Sequence, residues 1–259
     1  MAQRTKYTPG TFSWADLTTP DQSLAKSFYG ELFGWEAEDL PIGDGVFYSM
    51  MRLDGKDVAA ISPQQREQRE AGAPPAWNSY LTVESADAAV DRAKELGGTV
   101  HAPVFDVMDA GRMGVVQDPQ GAFFLVWEPK ANIGAALVNA PGALTWNELA
   151  CSDMDAAERF YSDLFGWALT SLEDMPMPYS TIKTAAGSTN GGMRPAMEGE
   201  PSHWLVYFGT DDIDASIEKL RELGGDTITD AMDIGVGKIA IVRDAQGAVF
   251  ALYSGDFED

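Results

Sequence analysis

Two carboxylates, each placed two residues after a tryptophan, are the groups in this chain best suited to proton-transfer chemistry. Asp16 follows Trp14 in the segment WADL, and Glu148 follows Trp146 in the segment WNEL. Burial of a carboxyl group against an indole ring removes water and raises the pKa of the acid, which suits it to general acid–base catalysis. We expect such a role at both positions, with Glu148 as the stronger candidate. The alternative is an ordinary surface carboxylate in a chain that has 40 of them.

His203 is the third candidate for acid–base chemistry. Strand alternation puts it on the same face as Leu205, where Glu148 could orient its imidazole as a base. The alternative is a histidine that is simply hydrogen-bonded at the edge of a sheet. The other histidine, His101, carries no functional prediction. Cys151 is expected to be a buried, inert thiol, because no basic residue adjoins it in the sequence.

The composition limits the possible partners. The 259 residues include 40 acidic and 18 basic ones, for a formal net charge of -22. Such a chain repels phosphate backbones and anionic lipid, so we expect no nucleic-acid or membrane partner and leave a small organic ligand open. One cysteine and two histidines cannot build a disulfide framework or a three-histidine metal site within one copy. With no signal-peptide pattern and no long apolar stretch, we expect a cytoplasmic protein.

An internal duplication organises the chain that must position these residues. Three blocks recur in the same order in both halves: 14–35 with 146–167, 77–98 with 204–225, and 118–124 with 244–250. The first pair is identical at 10 of 22 positions and the second at 8 of 22, which chance does not produce. We therefore expect two domains, 1–135 and 136–259.

Each half is predicted to contain the order βαβββ twice. Phe12, Trp14 and Asp16 share one face of a strand by alternation, Asp21 is placed to cap the helix that follows, and Gly34 is placed to end it. The same signals recur in the other three quarters of the chain. The predicted fold class is therefore α+β, with four βαβββ modules.

Two glycine-rich segments and one polar segment are assigned to connections. The pair Gly191-Gly192 and the segment 235–237 read as hairpin turns, because neither follows a strand and opens a helix as a dinucleotide-binding motif must. Residues 63–75 are polar and read as a loop between the two modules of the first half.

The repeated motifs resemble those of a known superfamily. FYGELFGW and FYSDLFGW follow the first strand of each half, and DPQG or DAQG precedes the last strand. This pattern resembles the vicinal oxygen chelate superfamily, which includes glyoxalase I, bleomycin-resistance proteins and extradiol dioxygenases. The openings WADL and WNEL are similar to two-domain glyoxalase-like proteins to which a hydroxylase activity is often ascribed. The resemblance implies two tandem domains with cupped mixed sheets and does not fix the reaction.

The resemblance also locates the positions at which many members bind a divalent metal. In this sequence those positions are occupied by Trp14, Asn78 and Leu125 in the first half and by Trp146, Leu205 and Ala251 in the second. Such cations need histidine, cysteine or carboxylate ligands, which one asparagine cannot replace. We therefore expect no metal site and no cofactor, and no reaction that depends on metal chelation.

Alternation also selects the side chains that face the concave side of each sheet. The predicted ligand-binding residues are Trp14, Asn78, Tyr80 and Trp127 in the first half and Trp146, Tyr207 and Tyr253 in the second. Aromatic walls with few polar groups are typical of small-molecule pockets. The alternative is that these rings pack against one another and fill the cups.

The sequence therefore predicts a protein that binds a small organic molecule in an aromatic cup. If it is an enzyme, we expect a metal-independent acid–base catalyst of the lyase, isomerase or hydroxylase-like kind. The second half is the expected chemical site, because only there does a carboxylate coincide with a histidine. Two other functions stay open: a ligand-sequestering module of the resistance type, and a structural protein with collapsed cups. We expect either a monomer with two packed halves or a homodimer.

Overall fold

The computed structural model describes residues 2–173 and 177–257, which form two mixed sheets. The elements up to residue 138 are β1 (Ala2–Gln3), β2 (Phe12–Thr19), α1 (Gln22–Phe33), β3 (Glu36–Gly43), β4 (Val46–Leu53), β5 (Lys56–Pro63), α2 (Arg66–Glu70), β6 (Ala76–Thr82), α3 (Ala86–Glu95), β7 (Thr99–Val107), β8 (Gly111–Gln117), β9 (Phe123–Pro129) and β10 (Leu137–Val138). The elements that follow are β11 (Leu144–Cys151), α4 (Met154–Phe165), β12 (Ala168–Leu172), β13 (Tyr179–Lys183), β14 (Thr189–Pro195), β15 (His203–Gly209), α5 (Ile213–Glu222), β16 (Asp226–Thr227), β17 (Met232–Asp233), β18 (Gly237–Arg243) and β19 (Val249–Gly255).

The two sheets have the same topology. The first has the strand order β3-β4-β5-β2-β6-β9-β8-β7, and the second has β12-β13-β14-β11-β15-β19-β18-β16, with β17 on β18 and the short pair β1 and β10 added beside β11. In each sheet the two central strands are antiparallel and each has a parallel neighbour on its other side. The predicted α+β class with four βαβββ modules is confirmed.

The helix that follows the first strand of each half begins and ends at the predicted residues. The carboxylate of Asp21 accepts a hydrogen bond from the amide of Leu24 at 2.9 Å, and Gly34 ends the helix with a φ of 74°. Asp153 and Gly166 perform the same functions in the second half. Only glycine adopts such a left-handed conformation without steric cost. Among the described residues, no helix combines the length and apolar character needed to cross a membrane.

The sheets pack back to back through the faces opposite their cups. One apolar cluster joins Tyr29 and Trp77 of the first half to Phe208 and Phe250 of the second. A second cluster makes the equivalent contact with the roles of the two halves exchanged. At the sides of this contact α1 meets α5, and α3 meets α4. The main apolar cores are therefore shared by the two halves, and the cups face away from each other.

The repeated motifs hold the two halves together. The hydroxyl of Tyr29 donates to Asp244 of the opposite half at 3.0 Å and accepts from the indole N–H of Trp77 at 3.0 Å. The symmetric chain of hydrogen bonds runs through Trp204, Tyr161 and Asp118. The tyrosine of the FY motif and the aspartate of the DAQG or DPQG motif are therefore interface residues.

The glutamine of each of these motifs also crosses the interface. The side chain of Gln246 accepts from the amide of Asp21 at 2.9 Å and donates to its carbonyl at 2.8 Å. Gln120 makes the same pair of contacts with Asp153. Each glutamine thus fixes the N-cap of a helix in the opposite half, so these repeated residues serve assembly rather than a cup.

Three local predictions are wrong. A bulge after Phe12 turns this ring away from Trp14, so Phe12 packs at the interface with its centroid 4.8 Å from that of Trp204. The pair Gly191-Gly192 lies inside β14 rather than in a turn, and a Cβ on Gly192 would clash with the hydroxyl of Tyr179. The segment 63–75 contains the short helix α2.

Candidate functional site

The first cup is centred on the buried carboxylate of Asp16, which is 4% exposed. One oxygen accepts from the hydroxyls of Tyr80 at 2.6 Å and Tyr48 at 3.1 Å, and the other accepts from the amide of Asn78 at 2.8 Å. The indole N–H of Trp14 donates to Tyr48 at 2.9 Å. Neutral donors thus satisfy both oxygens of Asp16.

The pairing of the two central strands produces this arrangement. Asp16 lies opposite Asn78, and Trp14 lies opposite Tyr80, so alternation places all four side chains on one face. The sequence predicted these four residues in the cup, but it missed Tyr48. That tyrosine comes from β4, and the only sequence signal for it is a second tyrosine, Tyr179, at almost the spacing of the repeat.

Burial dominates the electrostatics of the first cup. It raises the pKa of Asp16 above the ordinary value, and the hydrogen bonds from Tyr80, Asn78 and Tyr48 oppose that shift. The pKa values of Tyr80 and Tyr48 lie well above their usual range, because both hydroxyls are buried beside the carboxylate. The site therefore pairs a desolvated carboxyl group with hydroxyls that keep their protons.

The aromatic walls of the first cup contact one another. Trp14, Tyr80 and Trp127 are each at most 7% exposed, and the rings of Tyr80 and Trp127 meet edge to face at 6.4 Å. The indole N–H of Trp127 donates to the carbonyl of Asn132 at 2.9 Å. A ligand would therefore enter by moving a side chain of the rim.

The second cup is centred on Glu148, which is 5% exposed. Its carboxylate accepts from the Nε of Arg194 at 2.8 Å, and the two terminal nitrogens of that guanidinium donate to Glu200 at 2.8 and 2.7 Å. Tyr179 and Tyr207 lie beside Glu148, whose charge adds to burial in raising the pKa of both tyrosines. A buried Glu–Arg–Glu triad therefore occupies one side of this cup.

The two cups share their aromatic part and differ in charge. Trp146 donates to Tyr179 at 3.1 Å, which repeats the Trp14–Tyr48 contact of the first cup. Arg194, by contrast, stands at the sheet position that Ser62 occupies in the first half. No sequence signal identified Arg194, because the chain around it is not part of a repeated block.

His203 lies at the rim of the second cup. Its Nδ1 is 3.0 Å from the carbonyl of Pro201, and its Nε2 is 3.9 Å from Glu200. The guanidinium of Arg194 binds Glu148 in the place where the sequence suggested the imidazole. Glu148 and His203 are therefore on the same cup face, but Glu200 and Arg194 lie in the path between them.

The remaining predicted residues complete the second cup. Leu205, Tyr207 and Ala251 form a small buried cluster, against which Trp146 and Tyr253 pack while partly exposed. The hydroxyl of Tyr253 lies within hydrogen-bond distance of the backbone carbonyls of Val236 and Asp256. Because Trp146 is more exposed than its counterpart in the first half, the second cup is the more accessible of the two.

The predicted metal positions lie on these cup faces and do not fit a metal ion. The side chains there are those of two tryptophans, two leucines, an alanine and an asparagine. Among residues 2–173 and 177–257, no group of three or more His, Cys, Asp and Glu side chains could hold a metal ion. The donor set thus lacks what a divalent transition metal requires.

Two other predicted or reactive positions lie outside the chemistry of the cups. Cys151 is buried, and burial raises the pKa of its thiol to about 12, which leaves it inert as a nucleophile. His101 sits 2.9 Å from the side chain of Gln117 and packs on Phe123.

An open groove of about 660 Å³ lies at the seam between the halves, outside both cups, beside Phe33 and Pro141.

Comparison with known proteins gives consistent results over both halves. The family model described as "Glyoxalase/Bleomycin resistance protein/Dioxygenase superfamily" matches residues 11–126 and 143–252. The chain is 44% identical over 255 residues to "Putative glyoxylase CFP32" of Mycobacterium tuberculosis, which covers 97% of each chain. It is 33% identical over 262 residues to "Anthracycline biosynthesis protein DnrV" of Streptomyces peucetius, which covers 96% of this chain and 94% of that one.

Two solved structures with the same fold are more distant in sequence than these relatives. The Mn(II)-bound glyoxalase of Novosphingobium aromaticivorans aligns with a TM-score of 0.64 at 15% identity, over 97% of this chain and 85% of that one. The 2,2',3-trihydroxybiphenyl 1,2-dioxygenase of Sphingomonas wittichii aligns with a TM-score of 0.64 at 12% identity, over 96% and 92%. At these identities the likeness concerns the fold alone.

Proposed function

Because the chain belongs to the glyoxalase/bleomycin resistance protein/dioxygenase superfamily, we propose that it binds a small organic molecule in its first cup and transfers a proton there without a metal ion. One observation carries the proposal: the carboxylate of Asp16 is buried and its hydrogen-bond partners are all neutral, namely Tyr80, Tyr48 and Asn78. Burial of a carboxylate with no cation beside it disfavours the charged form, and this makes the aspartate a stronger base.

The reaction class is proton abstraction beside a carbonyl group. Asp16 accepts the proton, the C–H bond breaks, and its electron pair stays on the ligand as an enolate. The hydroxyl of Tyr48 donates a hydrogen bond to the oxygen that gains charge. A proton from Asp16 or from solvent later returns to the ligand, as in an isomerase or a lyase.

The outer hairpin β3–β4 is the proposed route into the cup. Tyr48 is half-buried and belongs to β4, and every residue of the neighbouring strand β3 is exposed. The tip of this hairpin is exposed at Val46 and Phe47, so a shift confined to the tip would break few apolar contacts and would separate Tyr48 from Asp16. The carbonyl oxygen of a ligand would then take the place of Asp16 as the acceptor of the Tyr48 hydroxyl.

The proposed ligand is a planar aromatic ketone. Trp14, Tyr80 and Trp127 offer indole and phenol surfaces, which favour aromatic partners in stacked or edge-to-face geometry. The relative named for anthracycline biosynthesis supports this class, because anthracyclines are polycyclic aromatic compounds.

We rank Glu148 and His203 below Asp16. A lone pair of Glu148 is bound by the guanidinium of Arg194, and His203 contacts Pro201 and Glu200 rather than Glu148. Transfer of a proton to Glu148 would cancel the charge that holds this ion pair together. The second cup therefore serves recognition better than proton transfer.

The test uses 2-tetralone, a bicyclic aromatic ketone with an acidic C–H beside its carbonyl. Hydrogen–deuterium exchange at that carbon is followed by NMR in D₂O with wild-type protein, Asp16→Asn and Glu148→Gln, each with and without EDTA. We expect exchange by the wild type to be insensitive to EDTA and to fall by about a hundredfold or more in Asp16→Asn. The matched change Glu148→Gln should leave the rate unchanged.

Other outcomes contradict the proposal in distinguishable ways. Binding of 2-tetralone, seen as a raised melting temperature, without accelerated exchange would favour a sequestering module. Absence of binding to any planar aromatic ketone would favour collapsed cups. Loss of exchange in Glu148→Gln alone would move the reaction to the second cup.

A further inference from the structure

We propose that Arg194 is an anion-recognition residue of the second cup, and that Glu200 occupies its site as an internal substitute for the carboxylate of an aromatic acid. This inference concerns the second cup and is independent of proton transfer by Asp16. The triad is asymmetric, since Glu148 comes from the central strand β11, whereas Glu200 comes from the connection between β14 and β15 at the rim.

The contact between Arg194 and Glu200 has the geometry with which arginine recognises a carboxylate. The two terminal nitrogens of Arg194 donate to the two carboxylate oxygens of Glu200, at 2.8 and 2.7 Å. We call this bidentate pair of donors the fork of Arg194. The remaining Nε is fixed by Glu148, which holds the guanidinium plane toward the rim. The fork presented to Glu200 is therefore oriented by the sheet and does not depend on Glu200 itself.

Glu200 is the replaceable member of the triad. Its side chain is 17% exposed, against 7% for Arg194 and for Glu148. Glu200 ends a tight turn in which Gly199 has a φ of 80°. Its carboxylate also accepts a hydrogen bond from the backbone amide of the exposed residue Met197, at 2.7 Å. If the turn moves outward, water can satisfy that amide, so the displacement leaves no buried polar group without a partner.

Hydrogen-bond strength and geometry favour an anion as the occupant. Glu148 binds one edge of the Arg194 guanidinium, and the two terminal nitrogens of the same guanidinium donate to the negatively charged carboxylate of Glu200. A neutral ligand would leave the fork of Arg194 with weaker acceptors, whereas a carboxylate restores the same charge and the same geometry. His203, at 3.9 Å from Glu200, would lie beside the bound carboxylate.

The aromatic wall next to the fork defines the rest of the ligand. Tyr179 adjoins both Glu148 and Arg194, and it accepts the indole N–H of Trp146. Trp146 is partly exposed, so its ring offers a surface to a flat apolar group. The first cup has Ser62 where this cup has Arg194, so only the second cup has this anion preference.

The test measures binding of 2-naphthoate and of its neutral analogue 2-naphthamide, through tryptophan fluorescence and calorimetry. The variant Glu200→Gln removes the competing charge and leaves Arg194 paired with Glu148. We expect it to bind 2-naphthoate at least about tenfold more tightly than the wild type, with the affinity for 2-naphthamide unchanged. The control Glu198→Gln removes the same charge from an exposed residue of the same connection and should change neither affinity.

A second variant removes the fork together with its buried partner. Glu148→Gln combined with Arg194→Gln avoids an unpaired buried charge, and circular dichroism confirms that it is folded. We expect this protein to lose the preference for 2-naphthoate over 2-naphthamide. The proposal is overturned if Glu200→Gln and Glu198→Gln tighten naphthoate binding equally, if Glu200→Gln changes nothing, or if the double variant keeps the preference.

Discussion

At the scale of single residues, the contrast between Asp16 and Glu148 shows how one strand position acquires two chemistries. Both carboxylates follow a tryptophan, lie beside two tyrosines and are almost fully buried. The difference is the guanidinium of Arg194, which binds Glu148 and has no counterpart beside Asp16. Identical ancestry therefore does not imply identical function for the two cups.

The buried carboxyl group of Asp16 predicts a pH dependence of stability. Its pKa in the folded protein is raised above the ordinary value of 3.8, so the folded state binds the proton more tightly than the unfolded state does. The free energy of unfolding should therefore fall as pH rises from that ordinary value through the raised one. In Asp16→Asn this component is absent. Urea denaturation across this pH range should show the stability of the wild type, relative to Asp16→Asn, decreasing with pH; an increase would contradict the shift.

The hydroxyl of Tyr29 predicts a second measurable effect. The variant Tyr29→Phe keeps the ring but leaves Trp77 without its acceptor and Asp244 without one donor. A buried polar group left unpaired costs about 1–3 kcal/mol, so we expect a loss of stability in that range with an unchanged denaturant slope. The symmetric variant Tyr161→Phe should lose a similar amount. A negligible loss in both would show that these hydrogen bonds are not structural.

At the scale of elements, the outer strand β3 of the first sheet is an exposed edge. β3 is an edge strand that pairs with β4 alone, and all eight of its residues are exposed, whereas β2 is central and almost fully buried. Few apolar contacts hold such an edge, which places it at the low end of local stability.

Hydrogen exchange followed by mass spectrometry provides the corresponding measurement. We expect the amides of 36–43 to exchange at least about tenfold faster than those of 12–19, because opening of the hairpin requires no separation of the two halves. A planar aromatic ketone that binds under Tyr48 should slow exchange in 46–53. Equal protection of the two segments would remove the proposed route into the first cup.

At the scale of the whole molecule, the shared core makes the halves interdependent. Each apolar cluster at the interface takes residues from both halves, and the repeated DPQG and DAQG motifs bind the opposite half. A half expressed alone exposes a large apolar surface. We propose that the predicted boundary between 135 and 136 separates two units that cannot stand alone.

Expression of 1–135 and 136–259 as separate chains tests this dependence. Each should self-associate or aggregate when produced alone, and co-expression should recover a soluble complex of the two. Sedimentation velocity distinguishes these states. Two stable monomers would show that the interface contributes little.

The sequence by itself determined the duplication, the α+β class and the inward-facing residues of the central strands, such as Trp14, Asp16, Asn78 and Tyr80. Strand alternation and helix caps are local properties, and a repeat reports them twice, so these features could be read without coordinates. Alternation could not predict the bulge after Phe12, which places the ring of Phe12 on the opposite face of the sheet from the one expected.

Only the tertiary structure decided which side chains meet. Tyr48 reaches Asp16 from another strand pair, Arg194 separates His203 from Glu148, and the FY and DAQG motifs are used at the interface between the halves. These contacts join residues far apart in the chain and depend on how two curved sheets pack against each other. Periodicity fixes the direction of a side chain from its own strand, whereas the partner in that direction is set by the packing of elements that the local sequence does not encode.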